Sequence, residues 1–144
     1  MNNKFKTETE ILDVVRSFED ATISRDAWKH AEHLTVALFY VRKYDYETAT
    51  DKMRSGILNL LTTGFGVDLA VENPYHETLT VFWMETVAKF ENARSDRTLL
   101  DNANELAIAY DKDYPLGFYS REVLFSDEAR ASYVNADLAA TADQ

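Results

Sequence analysis

The side chains of this sequence best suited to chemistry are its three histidines, which occur in two short segments. His30 and His33 lie in WKHAEHL, and His76 lies in NPYHETLT. At roughly 100° per residue, a helix would place the first two on either side of the line through Leu34, and would align His76 with Trp83. Because Leu34 and Trp83 are apolar, we expect all three imidazoles to face the core.

Inward imidazoles at one end of a helical bundle could bind a metal ion. Two histidines three positions apart can present their rings to one ion, and a third from a parallel helix completes a set that suits zinc, iron or nickel. The predicted ligands are His30, His33, His76 and Glu77, with Glu19 as an alternative carboxylate. Such a set leaves coordination positions open, so the expected function is Lewis-acid chemistry, or activation of a metal-bound water, on a small molecule.

The same histidines are compatible with a second function. An inward histidine commonly forms a hydrogen bond to a hydroxyl or carbonyl group without any metal, and a network of His30, His33 and Thr80 would give the same pattern. In that alternative the chain is a non-catalytic helical binding or interaction module with structural histidines. The sequence leaves open whether the protein is an enzyme.

Charge and composition exclude several classes of partner. The 144 residues include 15 Lys plus Arg against 25 Asp plus Glu, a formal net charge of −10. Nucleic acids and anionic membranes require a concentrated basic surface, so we expect neither partner. The absence of cysteine rules out thiolate ligands and a cysteine nucleophile. We find no signal-peptide pattern and no apolar run of membrane-spanning length, and therefore expect a cytoplasmic protein.

The elements that must position the histidines are helices. Only four glycines and two prolines interrupt the chain, and apolar residues recur at spacings of three and four. We expect one all-α domain over residues 1–144, an up-down bundle of four to five main helices, with residues 1–6 and 139–144 frayed. A short helical or irregular C-terminal segment should pack on this bundle, although residues 118–130 suggest no particular role.

Capping residues predict where the helices begin. A capping box of Thr7 and Glu10 should start the first helix. The expected N-caps of four later helices are Ser24, Asp45, Asn73 and Ser126. The second helix should cover residues 25–43, and the fourth should have Pro74 at its first position. In an up-down bundle the second and fourth helices run in the same direction, which places all three histidines at one end.

Two aromatic residues bear on whether the protein forms a homodimer. Trp28 and Phe39 project away from the side of the second helix that carries the histidines. That helix should therefore be buried on two sides, either beneath the C-terminal segment or at the interface of a homodimer.

Overall fold

Five α-helices of 11 to 17 residues form the body of the protein, whose computed structural model describes residues 3–138. They are α1 (Glu8–Glu19), α2 (His30–Lys43), α3 (Tyr46–Asn59), α4 (Glu77–Ala93) and α5 (Leu99–Ala109). The chain continues through a 3-10 turn (Tyr114–Gly117) and two short helices, α6 (Arg121–Leu124) and α7 (Asp127–Ala131). No strand occurs among the described residues, so the predicted all-α bundle is confirmed.

The second helix, α2, is the centre of the bundle. It packs against α1, α3, α4 and α5. Its buried residues are Glu32, Leu34, Thr35, Val36, Ala37, Leu38 and Tyr40. These positions surround the helix instead of forming one stripe, so α2 is buried on more than one side. The four neighbouring long helices provide this cover, and the C-terminal helix α7 packs on α4 instead.

Phe18 of α1 joins three helices. Its ring stacks on Trp28 with centroids 4.9 Å apart and meets Tyr40 at 6.4 Å. On α3, a Cβ added to Gly56 would come within 2.4 Å of the Phe18 ring, so glycine permits this close approach. Stacking on Phe18 covers Trp28 within the chain, which removes one of the two reasons for expecting a homodimer. The dimer itself stays a prediction.

Three predicted helix starts are confirmed. The side-chain oxygens of Thr7, Asp45 and Ser126 each accept a hydrogen bond from the backbone N–H three residues later. The Glu10 carboxylate also accepts from the backbone N–H of Thr7, which completes the capping box. These caps are local interactions, so they can be predicted from spacing alone.

Two predicted helix starts are wrong. Ser24 accepts from the N–H of Ala27 in a single turn, after which the chain opens and α2 begins only at His30. Asn73 likewise accepts from the N–H of Tyr75 in a short turn, and α4 begins at Glu77. Both side chains close local turns, because Ser and Asn bond to nearby backbone with or without a following helix.

Helices α2 and α4 run in the same general direction, as expected. The ring of His30, the first residue of α2, contacts Trp83 in the first half of α4 with centroids 4.9 Å apart. Near the ends of both helices Arg42 pairs with Glu91 at 3.0 Å. Both helices therefore begin at the same end of the bundle.

The segment before α1 is held on α5. Phe5 is buried, its N–H donates to Oδ1 of Asn104 at 2.8 Å, and its carbonyl accepts from Nδ2 at 2.9 Å. The predicted fraying of residues 1–6 therefore does not hold at Phe5. The fraying predicted for residues 139–144 lies outside the described residues. Along residues 3–138, no helix combines the length and apolar character needed to cross a membrane.

Candidate functional site

A pocket of about 340 Å³ lies at the end of the bundle where α2 and α4 begin, and all three histidines line it. Trp28 and Trp83 contribute indole rings to its wall. Ile57 and Leu61, from the end of α3 and the π-helical turn that follows it, add apolar surface. The structure thus brings His30, His33 and His76 to one cavity, although each ring has a different environment.

His76 is the N-cap of α4 and uses both ring nitrogens within the protein. Nδ1 accepts from the N–H of Leu79 at 3.1 Å, and Nε2 lies 2.6 Å from the carbonyl oxygen of Leu124. A carbonyl can only accept, so Nε2 carries the proton and donates it. Burial lowers the pKa of His76, although the Leu124 carbonyl opposes this effect. The ring is therefore neutral at pH 7 and joins the C-terminal segment to α4.

His30 is the first residue of α2 and forms one hydrogen bond. Its Nε2 lies 3.1 Å from the carbonyl oxygen of Tyr110, so Nε2 is again the donor. The ring meets the Trp83 indole at an interplanar angle of 63°. The other ring nitrogen, Nδ1, forms no hydrogen bond with residues 3–138.

His33 has no ring hydrogen bond to any residue within 3–138. Its imidazole approaches the Trp28 indole edge-on, with centroids 5.7 Å apart. Burial, assisted by the charge of His30, lowers the pKa of His33 to about 4. The ring is therefore neutral at pH 7, and both nitrogens can serve a ligand, one as donor and one as acceptor.

The prediction of a metal site at His30, His33, His76 and Glu77 is wrong. Among residues 3–138 no group of three His, Asp or Glu side chains could hold a metal ion. A ligating histidine needs a ring nitrogen with a free lone pair, and His76 has none because it caps a helix and bonds to Leu124. The predicted function, in which a metal-bound water acts on a small molecule, depended on that site and is therefore also wrong.

Both carboxylates proposed as further ligands are occupied elsewhere. The Glu77 carboxylate accepts from Nε and one terminal nitrogen of Arg54 at 2.9 and 2.7 Å, and also from the Tyr75 hydroxyl. This arginine, with help from Tyr75, lowers the pKa of Glu77. Glu77 is therefore a structural link between α3 and α4. The other carboxylate, Glu19, accepts from the Tyr40 hydroxyl at 2.8 Å.

The charge of the pocket is opposite to that of the chain as a whole. Among the described residues that line it, none is Asp or Glu, and Lys112 is the one with a permanent charge. Lys112 forms no ion pair with the described residues. The N-termini of α2 and α4, which are the positive ends of the helix dipoles, lie at the same wall of the pocket. His30 begins α2, and His76 caps α4. An anionic group would therefore be favoured in this pocket.

Lys112, Ile57 and Leu61 also line the pocket, although nothing in their spacing predicts a place in the site. They come from the end of α3, the turn after it and the connection after α5, and only the tertiary fold brings these together. Trp83 is predicted from the sequence to be a core residue. It is buried, and it also lines the pocket. No signal in the sequence connects these positions with the histidines.

Comparison with known proteins gives no further assignment. No family model, curated protein or solved structure matches the chain significantly.

Proposed function

We propose that the histidine-lined pocket binds a small organic anion with a planar apolar body, and that no metal takes part. The observation that carries this proposal is the composition of the lining: two indoles, three imidazoles and one lysine, with no carboxylate among the described residues. The proposal develops the binding-module alternative and replaces the metal-dependent function.

The apolar part of the ligand follows from the indoles. Trp28 and Trp83 both present surface to the cavity, and Ile57 and Leu61 continue the apolar wall. Small-molecule sites typically combine such a wall with a few polar groups in cavities of about 300–1,000 Å³. The volume of about 340 Å³ lies at the lower end of that range and suits a ligand with one aromatic ring.

The anionic part follows from Lys112 and from the position of the helix starts. On a chain with a net charge of −10, a pocket whose described lining has no carboxylate repels an anion less than the acidic parts of the surface do. The ammonium group of Lys112 can reach a carboxylate at the mouth, because lysine keeps its charged end in water on a flexible stem. The positive ends of α2 and α4 add to this attraction.

His33 provides the selectivity. Its neutral ring has a donor and an acceptor that no described residue satisfies. A ligand carrying a hydroxyl or amide group near its ring would satisfy both. A polar group left without a partner in a buried site costs about 1–3 kcal/mol, so a ligand without the matching group binds more weakly.

The test uses tryptophan fluorescence, because both tryptophans of the chain line this pocket. Phenylacetate is titrated against phenylacetamide, which has the same shape without the charge. We expect saturable quenching by phenylacetate and binding at least about 5-fold weaker for the amide, equivalent to about 1 kcal/mol.

The matched variants are Lys112→Gln and Lys29→Gln. Each removes one positive charge, but Lys29 is exposed and does not line the pocket. The proposal predicts weaker phenylacetate binding for Lys112→Gln and unchanged binding for Lys29→Gln. Equal affinity of the carboxylate and the amide, or equal effects of the two variants, would contradict it.

A further inference from the structure

The helix α4 contributes to a second pocket, which belongs to no part of the site described above. Its volume is about 390 Å³, and it lies between α4, the chain that follows α5 and the segment after α7. Six aromatic side chains line it: Phe82, Tyr110, Tyr114, Phe118, Tyr119 and Tyr133. Four of these six are tyrosines.

The rings of this aromatic pocket hold one another in place. Phe82 contacts Tyr114, Phe118 and Tyr119 at centroid distances of 5.9, 5.4 and 6.2 Å. Tyr110 and Tyr114 are 4.6 Å apart, and Tyr114 and Phe118 are 5.2 Å apart. These tilted and edge-on contacts make a preformed wall, so little side-chain entropy is lost when a ligand binds.

One carboxylate and one ammonium group lie beside these rings. Glu85 lines the pocket and forms no ion pair with the described residues. Burial raises the pKa of Tyr119, the neighbouring Tyr133 hydroxyl raises it further, and the carboxylates of Glu85 and Asp137 add smaller effects in the same direction. Tyr119 is therefore neutral at pH 7. Lys89 also lines the pocket, and both Glu85 and Lys89 are exposed. The longer stem of Lys89 lets its ammonium group extend away from the rings into solvent.

We propose that the aromatic pocket binds a small organic cation of the quaternary or methylated ammonium class. Aromatic faces attract such cations through their quadrupole, and a dense group of rings is how proteins recognise them. A methylated ammonium is weakly hydrated and apolar at its surface, so it gains from the rings while Glu85 balances its charge. The acidity of the whole chain, with a net charge of −10, favours the approach of cations.

The test compares choline with 3,3-dimethyl-1-butanol, which has the same shape with carbon in place of nitrogen. Binding is followed by the backbone amide NMR signals of Thr86 and Tyr119, with the indole N–H of Trp28 as a marker for the histidine-lined pocket. We expect choline to shift the first two signals and to leave the Trp28 signal in place. The neutral analogue should bind at least about 5-fold more weakly.

Two pairs of variants complete the experiment. Glu85→Gln should weaken choline binding about 2- to 5-fold, whereas Lys89→Gln, on the same face, should leave it unchanged or strengthen it. Tyr133→Leu removes one ring from an exposed position and should also weaken binding. The inference is overturned if choline and its neutral analogue bind equally, if choline shifts neither Thr86 nor Tyr119, or if Glu85→Gln has no effect. Each of these results is independent of anion binding in the histidine-lined pocket.

Discussion

The half-buried position of His33 beside Trp28 predicts that the protein loses stability when the pH falls from 7 to 5. The pKa of His33 is about 4 in the folded protein, where burial disfavours the charged ring, and near 6.5 in the unfolded chain. Between these values the unfolded chain binds more protons, so acid favours unfolding. The stabilisation is complete above pH 6.5 and is lost as the pH falls towards 4.

The size of this loss follows from the difference between the two pKa values. The pKa difference limits the pH-dependent part of the free energy of unfolding to about 3 kcal/mol, of which about 2 kcal/mol is lost by pH 5. A mesophilic domain has about 5–15 kcal/mol of stability in total, so the change is large enough to measure in a urea titration.

The assay compares the wild type with His33→Phe at pH 7 and pH 5. Phenylalanine keeps an aromatic ring beside Trp28, 5.7 Å away in the wild type, and cannot be protonated. Other titrating groups, including His76, are common to both proteins and cancel in the difference. The wild type should lose about 2 kcal/mol more than the variant over this interval. Equal losses in the two proteins, or an NMR titration of His33 with a midpoint near 6.5, would refute the reasoning.

Two further predictions concern the core, and both are measured by urea unfolding at pH 7. Arg42→Met should destabilise the fold by about 3 kcal/mol, because Glu91 is buried and would lose the ion pair at 3.0 Å. The control is Arg16→Ala, which removes an exposed ion pair and should cost less than about 1 kcal/mol. Equal costs for the two variants would contradict the burial of Glu91. Gly56→Ala should cost about 1–3 kcal/mol, because the new methyl group overlaps the Phe18 ring at 2.4 Å. Gly117→Ala meets no atom within 4 Å and should be close to neutral, so an equal effect at both glycines would contradict the packing.

The fold was predictable where the signals are local. Thr7, Asp45 and Ser126 cap the helices that follow them, because each bonds to a backbone N–H three residues away. Apolar spacing likewise predicts an inward position for Trp83, which is buried. The parallel course of α2 and α4 follows from the order of helices in an up-down bundle.

The site was less predictable because distant contacts determine it. Asn73 and Pro74 match the sequence pattern of a helix start better than His76 does, yet His76 is the N-cap of α4. Its ring also bonds to Leu124, which lies 48 residues further along the chain. That contact removes the free nitrogen on which the metal prediction depended. The inward direction expected for His76 was right, but the hydrogen bonds that the ring would make there could not be read from its spacing.

The aromatic pocket shows the same limit. Its rings range from Phe82 in α4 to Tyr133 after α7. Tyr110, Tyr114 and Phe118 recur every four residues, but no spacing relates them to Phe82 or Tyr133. Residues 118–130, whose role the sequence did not suggest, contribute Phe118 and Tyr119 to this pocket and the Leu124 carbonyl to His76. The segment therefore takes part in both cavities.

The most direct test of anion binding at the histidine-lined pocket is the indole N–H NMR signals of Trp28 and Trp83, recorded during a phenylacetate titration with excess EDTA present. The chain has two tryptophans and both line this pocket, so the two signals report on it. Our account predicts that both signals shift and saturate, and that the chelator changes nothing. If neither signal moves, or if they move only when a divalent metal is added, the account is contradicted.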